Sequence, residues 1–177
     1  MVNRMMDDLF DLMEDDMTDE TSATPTIASP DCGLYIILPT TDNHEKQCFQ
    51  LIQALHAANR FSAYSVNRHV VEYRPAPSDA DPLAIAKAYR EVCLQNGFIF
   101  LVYDDVAIAR ASDADGVLCS SLKHCSEARR QLDESKIIGL RSCHKAAAQS
   151  ALSLELDFVC FYQDSQGEPL IDLLNWW

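Results

Sequence analysis

The stretch from Phe98 to Ser121 constrains the fold more than any other. Its apolar run Phe98-Ile99-Phe100-Leu101-Val102 ends in Tyr103-Asp104-Asp105. A short apolar-periodic segment, Val106 to Ala111, comes next. Asp113-Ala114-Asp115-Gly116 then leads into a second run, Val117-Leu118-Cys119. The order is strand, acidic tip, short helix, turn, strand. An unbroken apolar strand belongs in a parallel sheet, where helices keep water off the strands. A strand, a crossover helix and a parallel strand make a βαβ unit. Ligand sites in such proteins gather at the carboxyl ends of the strands, which is where Asp104 and Asp105 stand.

The rest of the chain repeats the pattern. Gly33 to Leu38 reads as a first strand, stopped by Pro39. His44 to Arg60 reads as a helix with Phe49, Ile52 and Leu55 on its inward stripe. Phe61 to Val66 is expected as the second strand, with Arg68 and His69 just past its end. The segment Val70 to Ala80, which carries Pro75 and Pro77, is expected to be irregular. Asp81-Pro82 is a helix start, an N-cap acid followed by proline at the first helical position. Asn96-Gly97 ends that helix. Gly116 to Cys119, Lys136 to Leu140 and Leu156 to Tyr162 read as further strands. His124 to Leu132, Cys143 to Leu154 and Leu170 to Trp177 read as helices. Six strands alternate with helices and show no hairpin signal, so the sheet is expected to be parallel. An open doubly wound sheet and part of an eight-fold (β/α) barrel both fit.

Composition narrows the function. The 177 residues suit one domain. A net charge of −13 argues against nucleic acid, whose backbone needs basic surface. The charge is uneven: residues 1–30 hold eight acids and one arginine. That segment is expected to be a disordered acidic extension, or else a partner-binding helix with Met6, Leu9, Phe10 and Met13 on one face. Residues 31–177 are expected to form the folded domain. Seven cysteines without a CxxC pair, behind an acidic N-terminus with no apolar leader, suggest free thiols and a cytoplasmic protein. The apolar runs are too short for a membrane span. Cys119, His124, Cys125, Cys143 and His144 match no standard zinc spacing.

Residues 98–162 resemble thiamine-phosphate synthase and its TenI-like relatives, which are (β/α) barrels. Val102-Tyr103-Asp104-Asp105 stands where the family has the tip of its third strand. Asp113-Ala114-Asp115-Gly116-Val117-Leu118-Cys119 stands where it reads Gly-Ala-Asp-Gly-Val-His-Leu. Glu127-Ala128-Arg129-Arg130, Ile137-Ile138-Gly139 and Leu156-Asp157-Phe158-Val159 continue in register. The resemblance implies an incomplete TIM barrel, α/β with about six parallel strands over residues 31–177, lacking the last two βα units. It implies a transferase of thiamine biosynthesis, which joins a hydroxymethylpyrimidine diphosphate to a thiazole phosphate and releases pyrophosphate with Mg²⁺. It places Asp104 as a metal ligand. Arg68 takes the place of the family's diphosphate-binding arginine at the end of the second strand. Ser142, next to the position of the family's serine, is the second substrate-binding residue. No catalytic residue is assigned.

The site departs from the family. Tyr103 replaces an asparagine, Leu118 a histidine and Arg141 a serine. Lys123 falls on the second metal-binding aspartate, and a lysine cannot coordinate Mg²⁺. Gln163-Asp164-Ser165-Gln166-Gly167 lacks the phosphate-binding lysine. The resemblance therefore implies weak or lost activity. A non-catalytic interaction or regulatory protein on the same fold is the alternative, and a small phosphate binder using Arg68 and Arg141 is a third. Open sheet edges would call for a homo-oligomer or a partner chain.

Overall fold

The computed structural model describes residues 34–39, 41–61 and 69–177. The acidic extension 1–30, the segment Ser62 to Val66 and Arg68 lie outside the described residues.

Among the described residues, six strands carry the fold: β1 (Tyr35–Ile37), β2 (Val70–Tyr73), β3 (Ile99–Tyr103), β4 (Gly116–Cys119), β5 (Ile137–Ser142) and β6 (Phe158–Phe161). The helices are α1 (His44–Phe61), α2 (Pro82–Asn96), α3 (Val106–Ala111), α4 (Leu122–Gln131), α5 (Lys145–Ser153) and α6 (Leu170–Trp176). Every neighbouring strand pair is parallel, and the strands lie in the order β1-β2-β3-β4-β5-β6. A doubly wound sheet reverses its strand order at a switch point. This sheet never reverses. Successive helices also pack on one another, from α1 on α2 through to α4 on α5, so they share one face. The sheet is an open, incomplete (β/α) barrel.

The two faces follow from the period of two along a strand. Val71, Tyr73, Phe100, Val102, Val117, Cys119, Ile138 and Leu140 join one buried cluster with Leu51, Leu55, Ala86, Tyr89, Cys125 and Ala151 from the helices. Their strand neighbours Glu72, Leu101, Leu118 and Arg141 point to the other, concave face. Alanine is common in the helices that press on the sheet, where a small side chain permits close approach. Among the described residues, no helix is long and apolar enough to cross a membrane. The six described cysteines are free. Cys93, Cys119, Cys125 and Cys143 are buried, as small hydrophobes would be.

Local signals set the element ends. The Asp81 carboxylate accepts from the Ala84 N–H and opens α2, and Gly97 closes it at φ 72°. Asp105 caps α3 by accepting from the Ile108 N–H at 2.8 Å. Asp115 and Asp157 do equivalent work at the opposite end of the sheet. Asp115 Oδ2 accepts from the Phe100 N–H at 2.8 Å, and Asp157 Oδ2 accepts from the Ile138 N–H at 2.7 Å. Each aspartate precedes one strand and satisfies the amide near the start of the strand beside it. The Ala-Asp-Gly-Val phrase is thus a strand-pairing device. Gly116 completes it, because a Cβ there would lie 1.9 Å from the Ile137 carbonyl oxygen.

The expected second strand is corrected. Phe61 closes α1, and the strand beside β1 is Val70–Tyr73, within the segment expected to be irregular. Glu72 disguised it. An acid in the middle of a short run reads as solvent-exposed chain, but this one is fully buried against partners from elsewhere in the fold. A polar network anchors the segment that follows. Tyr73 and His44 both hydrogen-bond Asp79, and His44 also meets Tyr89.

Gly116→Ala should destabilise the chain by about 3 kcal/mol in urea unfolding, because the intruding methyl meets backbone that cannot turn aside. A loss within about 0.5 kcal/mol, the range of ordinary surface substitutions, would mean that β4 and β5 are not held this closely.

Candidate functional site

The carboxyl ends of the strands form a mouth with a cationic half and an acidic half. The cationic half begins with Glu72 on β2. Its side chain is 0% exposed. Oε2 accepts from the Tyr35 hydroxyl at 2.8 Å, and Oε1 accepts from Nε of Arg74. Burial raises the Tyr35 pKa, and the charge of Glu72 and the hydrogen bond to it raise it further, so Tyr35 remains a donor. Arg74 is the residue that follows β2. Its guanidinium carbon lies 4.8 Å from the centre of the Tyr103 ring. Arg141 of β5 approaches the same ring at 5.9 Å and stacks over Tyr162 at 4.0 Å. Among the described residues, Arg141 forms no ion pair with a carboxylate. Burial disfavours its charge, but Tyr103, Tyr162 and Glu72 outweigh that and hold its pKa above the ordinary value.

The acidic half centres on Asp104, the first residue after β3. It adopts φ 56°, a left-handed conformation uncommon outside glycine. Its N–H donates to the Leu118 carbonyl at 2.9 Å. That hydrogen bond directs the side chain toward the loop after β4. Oδ1 accepts from the Ser120 N–H at 3.0 Å and lies 2.6 Å from His124 Nδ1, and Oδ2 accepts from the Ser120 hydroxyl at 2.7 Å. Burial alone would raise the Asp104 pKa. The Ser120 N–H, His124 and the Ser120 hydroxyl together hold it below the usual carboxylate value. Such strain held by several hydrogen bonds is common at functional sites.

These residues do not fit the magnesium ion implied by the resemblance. Mg²⁺ needs a near-octahedral set of oxygens. Both Asp104 oxygens already face hydrogen-bond donors. The position of the second acid is an exposed lysine, Lys123. Among the described residues, no group of three histidines, cysteines or acids is placed to hold a metal.

The site residues expected from sequence fare differently. Asp104 stands at the mouth. Arg68 lies outside the described residues, and the arginine that follows the second strand is Arg74. Ser142 is 5% exposed. Its hydroxyl donates to the His144 carbonyl and its oxygen accepts from the His144 N–H, both at 3.1 Å. It therefore shapes a turn, while Arg141 presents its side chain to the concave face. Sequence reading missed Tyr35, Glu72, Arg74, Tyr162 and Ser120, and it weighed His124 only as a zinc ligand. The triplet Glu72-Tyr73-Arg74 was the available signal, once the strand is placed there.

The lowered Asp104 pKa has a consequence for stability. A carboxyl whose folded pKa is depressed stabilises the fold above its unfolded value, near 3.9, and loses that contribution as pH falls through the folded pKa. Asp104→Asn should therefore flatten the acid limb. Between about pH 5 and pH 2, the urea midpoint of the wild type should fall further than that of the variant. Asparagine tolerates the left-handed backbone, so strain does not confuse the comparison. Parallel acid limbs would contradict the hydrogen-bonded carboxylate.

The comparisons agree with this architecture. The family model described as thiamine monophosphate synthase matches residues 34–163, well over half the chain. The thiamine biosynthesis bifunctional protein ThiED of Geobacter sulfurreducens is 32% identical over 129 residues, covering 72% of this chain and 24% of that protein. The thiamine-phosphate synthase of Agrobacterium fabrum is 36% identical over 93 residues, covering 51% of this chain and 42% of that one. The chain thus spans less than half the length of these relatives. Among solved structures, thiamine phosphate pyrophosphorylase from Pyrococcus furiosus superposes with a TM-score of 0.54 at 21% identity, over 74% of this chain and 60% of that one. That likeness supports the fold. With the matched model covering β1 through β6, the chain belongs to the TenI-like thiamine-phosphate synthase family.

Proposed function

We propose that this chain handles small phosphate-bearing molecules at the mouth of the sheet and that the synthase reaction of its family is weak or lost. That reaction joins hydroxymethylpyrimidine diphosphate to thiazole phosphate and releases pyrophosphate. The chemistry demands stabilisation of the departing pyrophosphate. The supporting observation is the state of Asp104, whose oxygens are bonded by Ser120 and His124. Bound Mg²⁺ would supply charge to the leaving group, and among the described residues no group of three acids, histidines or cysteines is placed to hold it. What the chain offers instead is Arg74, aligned by the Glu72 carboxylate and laid against Tyr103, as a donor for phosphate oxygens.

A second reading, a non-catalytic interaction or regulatory protein, draws on the exposed apolar residues. Leu34 and Ile37 lie at the β1 edge, and Ile171, Leu174 and Trp177 lie on or beside α6. An open sheet edge with apolar neighbours favours association, either with a second copy or with a partner chain.

The direct test mixes both family substrates with Mg²⁺ and measures released pyrophosphate against the Agrobacterium fabrum protein. The expected rate is lower by about 10³-fold, the scale of losing one preorganised charge-stabilising group. Release at the relative's rate, abolished by Asp104→Ala, would overturn the proposal.

A further inference from the structure

His44, the first residue of α1, sits between two acceptors. Gln47 Nε2 donates to the Pro39 carbonyl at 2.6 Å, which turns Oε1 of that amide toward Tyr89. The Tyr89 hydroxyl has one proton and gives it to this oxygen. Its own oxygen can therefore only accept from His44 Nδ1, 3.0 Å away. On the other side of the ring, Nε2 lies 3.3 Å from Asp79 Oδ1. Asp79 Oδ2 accepts from the Tyr73 hydroxyl at 2.7 Å and from the Ala76 N–H at 2.9 Å. Burial alone would raise the Asp79 pKa, but the Ala76 N–H, the Tyr73 hydroxyl and His44 hold it below the usual value. An ionised carboxylate also only accepts. Both contacts of the ring thus call for an N–H, and a neutral imidazole has one.

We propose that His44 is a pH-sensitive fastening: charged, it ties the start of α1 both to α2 and to the segment between β2 and α2, and neutral, it releases Tyr89. The choice of bond follows from charge. A hydrogen bond to a carboxylate is roughly twice as strong as one between neutral groups, so the single N–H of the neutral ring stays on Nε2, facing Asp79. The surroundings oppose one another, which leaves the charge free to switch. Asp42 lines the same cavity as His44 and Asp79, and both acids favour the cation. The positive end of the α1 dipole disfavours it. Glu45 and Lys46, beside His44 on α1, are exposed and of opposite charge. The phenols of Tyr89 and Tyr73 and the Cys48 thiol stay neutral, because burial pushes their pKa values up. The fastened segment runs from Arg74 at the mouth to the Asp81 cap of α2, so a proton taken up by His44 steadies one rim of the mouth.

The test is long-range ¹H–¹⁵N NMR of the histidine rings in the full chain between about pH 5.5 and pH 8, with His44→Gln assigning the signal. At the acid end both His44 nitrogens should carry protons. At the alkaline end the ring should be the Nε2–H tautomer, and the Tyr89 and Gln47 signals should move with the same midpoint. A double-mutant cycle of His44→Gln with Tyr89→Phe, read by urea unfolding, measures the released bond. Its coupling should be about fivefold in the folding constant at the acid end, the scale of one net hydrogen bond, and should vanish at the alkaline end. A ring that meets its partners when charged stabilises the fold at acid pH and loses that contribution as pH rises. If Tyr89→Phe fails to fold, the NMR titration of the unaltered chain decides. A neutral Nδ1–H tautomer, Tyr89 and Gln47 signals that ignore the titration, or a coupling equal at both ends would each overturn the inference.

Discussion

A carboxylate buried on the concave side of the sheet determines what the mouth can be. Removing an ion such as the Glu72 carboxylate from water costs several kcal/mol unless paired and hydrogen-bonded groups compensate. Tyr35 on β1 and Arg74 after β2 provide that compensation. The bonds therefore do two things at once. They tie the edge strand β1 to β2 through side chains as well as backbone, and they fix the position of a guanidinium at the carboxyl end of the sheet. Tyr103 and Arg141 extend the arrangement across β3 and β5. One buried charge thus orders a line of residues from the sheet edge to its middle.

The acidic half works in the opposite sense. Asp104 has a strained backbone, a lowered pKa and a place at the end of a central strand, features that often mark a site. Its oxygens nevertheless meet donors from the chain itself, and the residues nearest the missing ligand position are serine, lysine and histidine. A site built on metal and carboxylate needs unfilled lone pairs on its acids, whereas one built on arginine needs unfilled N–H groups. Three hydrogen bonds engage Asp104, and among the described residues Arg141 ion-pairs with no carboxylate. The fold of the family is kept while the charge at its mouth is arranged differently.

Much of the fold was legible because its signals are local. Apolar runs mark β3, β4 and β5, and the caps at Asp81, Gly97 and Asp105 depend on residues within four positions. β2 was not legible, because the partner that makes Glu72 acceptable, Tyr35, is 37 residues away. The Arg68 reading was tied to that placement, and Arg68 lies outside the described residues. Ser142 and Arg141 show what a period of two does with neighbouring positions. Ser142, the last residue of β5, bonds the His144 backbone through its hydroxyl, and its neighbour Arg141 takes the concave face. Asp115 shows the reverse case, in which a phrase that signals the family turned out to hold two strands together at the end away from the mouth.

The central claim is that the mouth recognises anions through arginines and without a metal. Side-chain NMR of the guanidinium Nε–H groups, followed while pyrophosphate is added in EDTA, tests it most directly. The Arg74 and Arg141 resonances should shift together and saturate at one affinity, with Arg129 and Arg130 of α4 unmoved. Shifts confined to residues around Asp104 and His124, appearing only after Mg²⁺ is added, would contradict it.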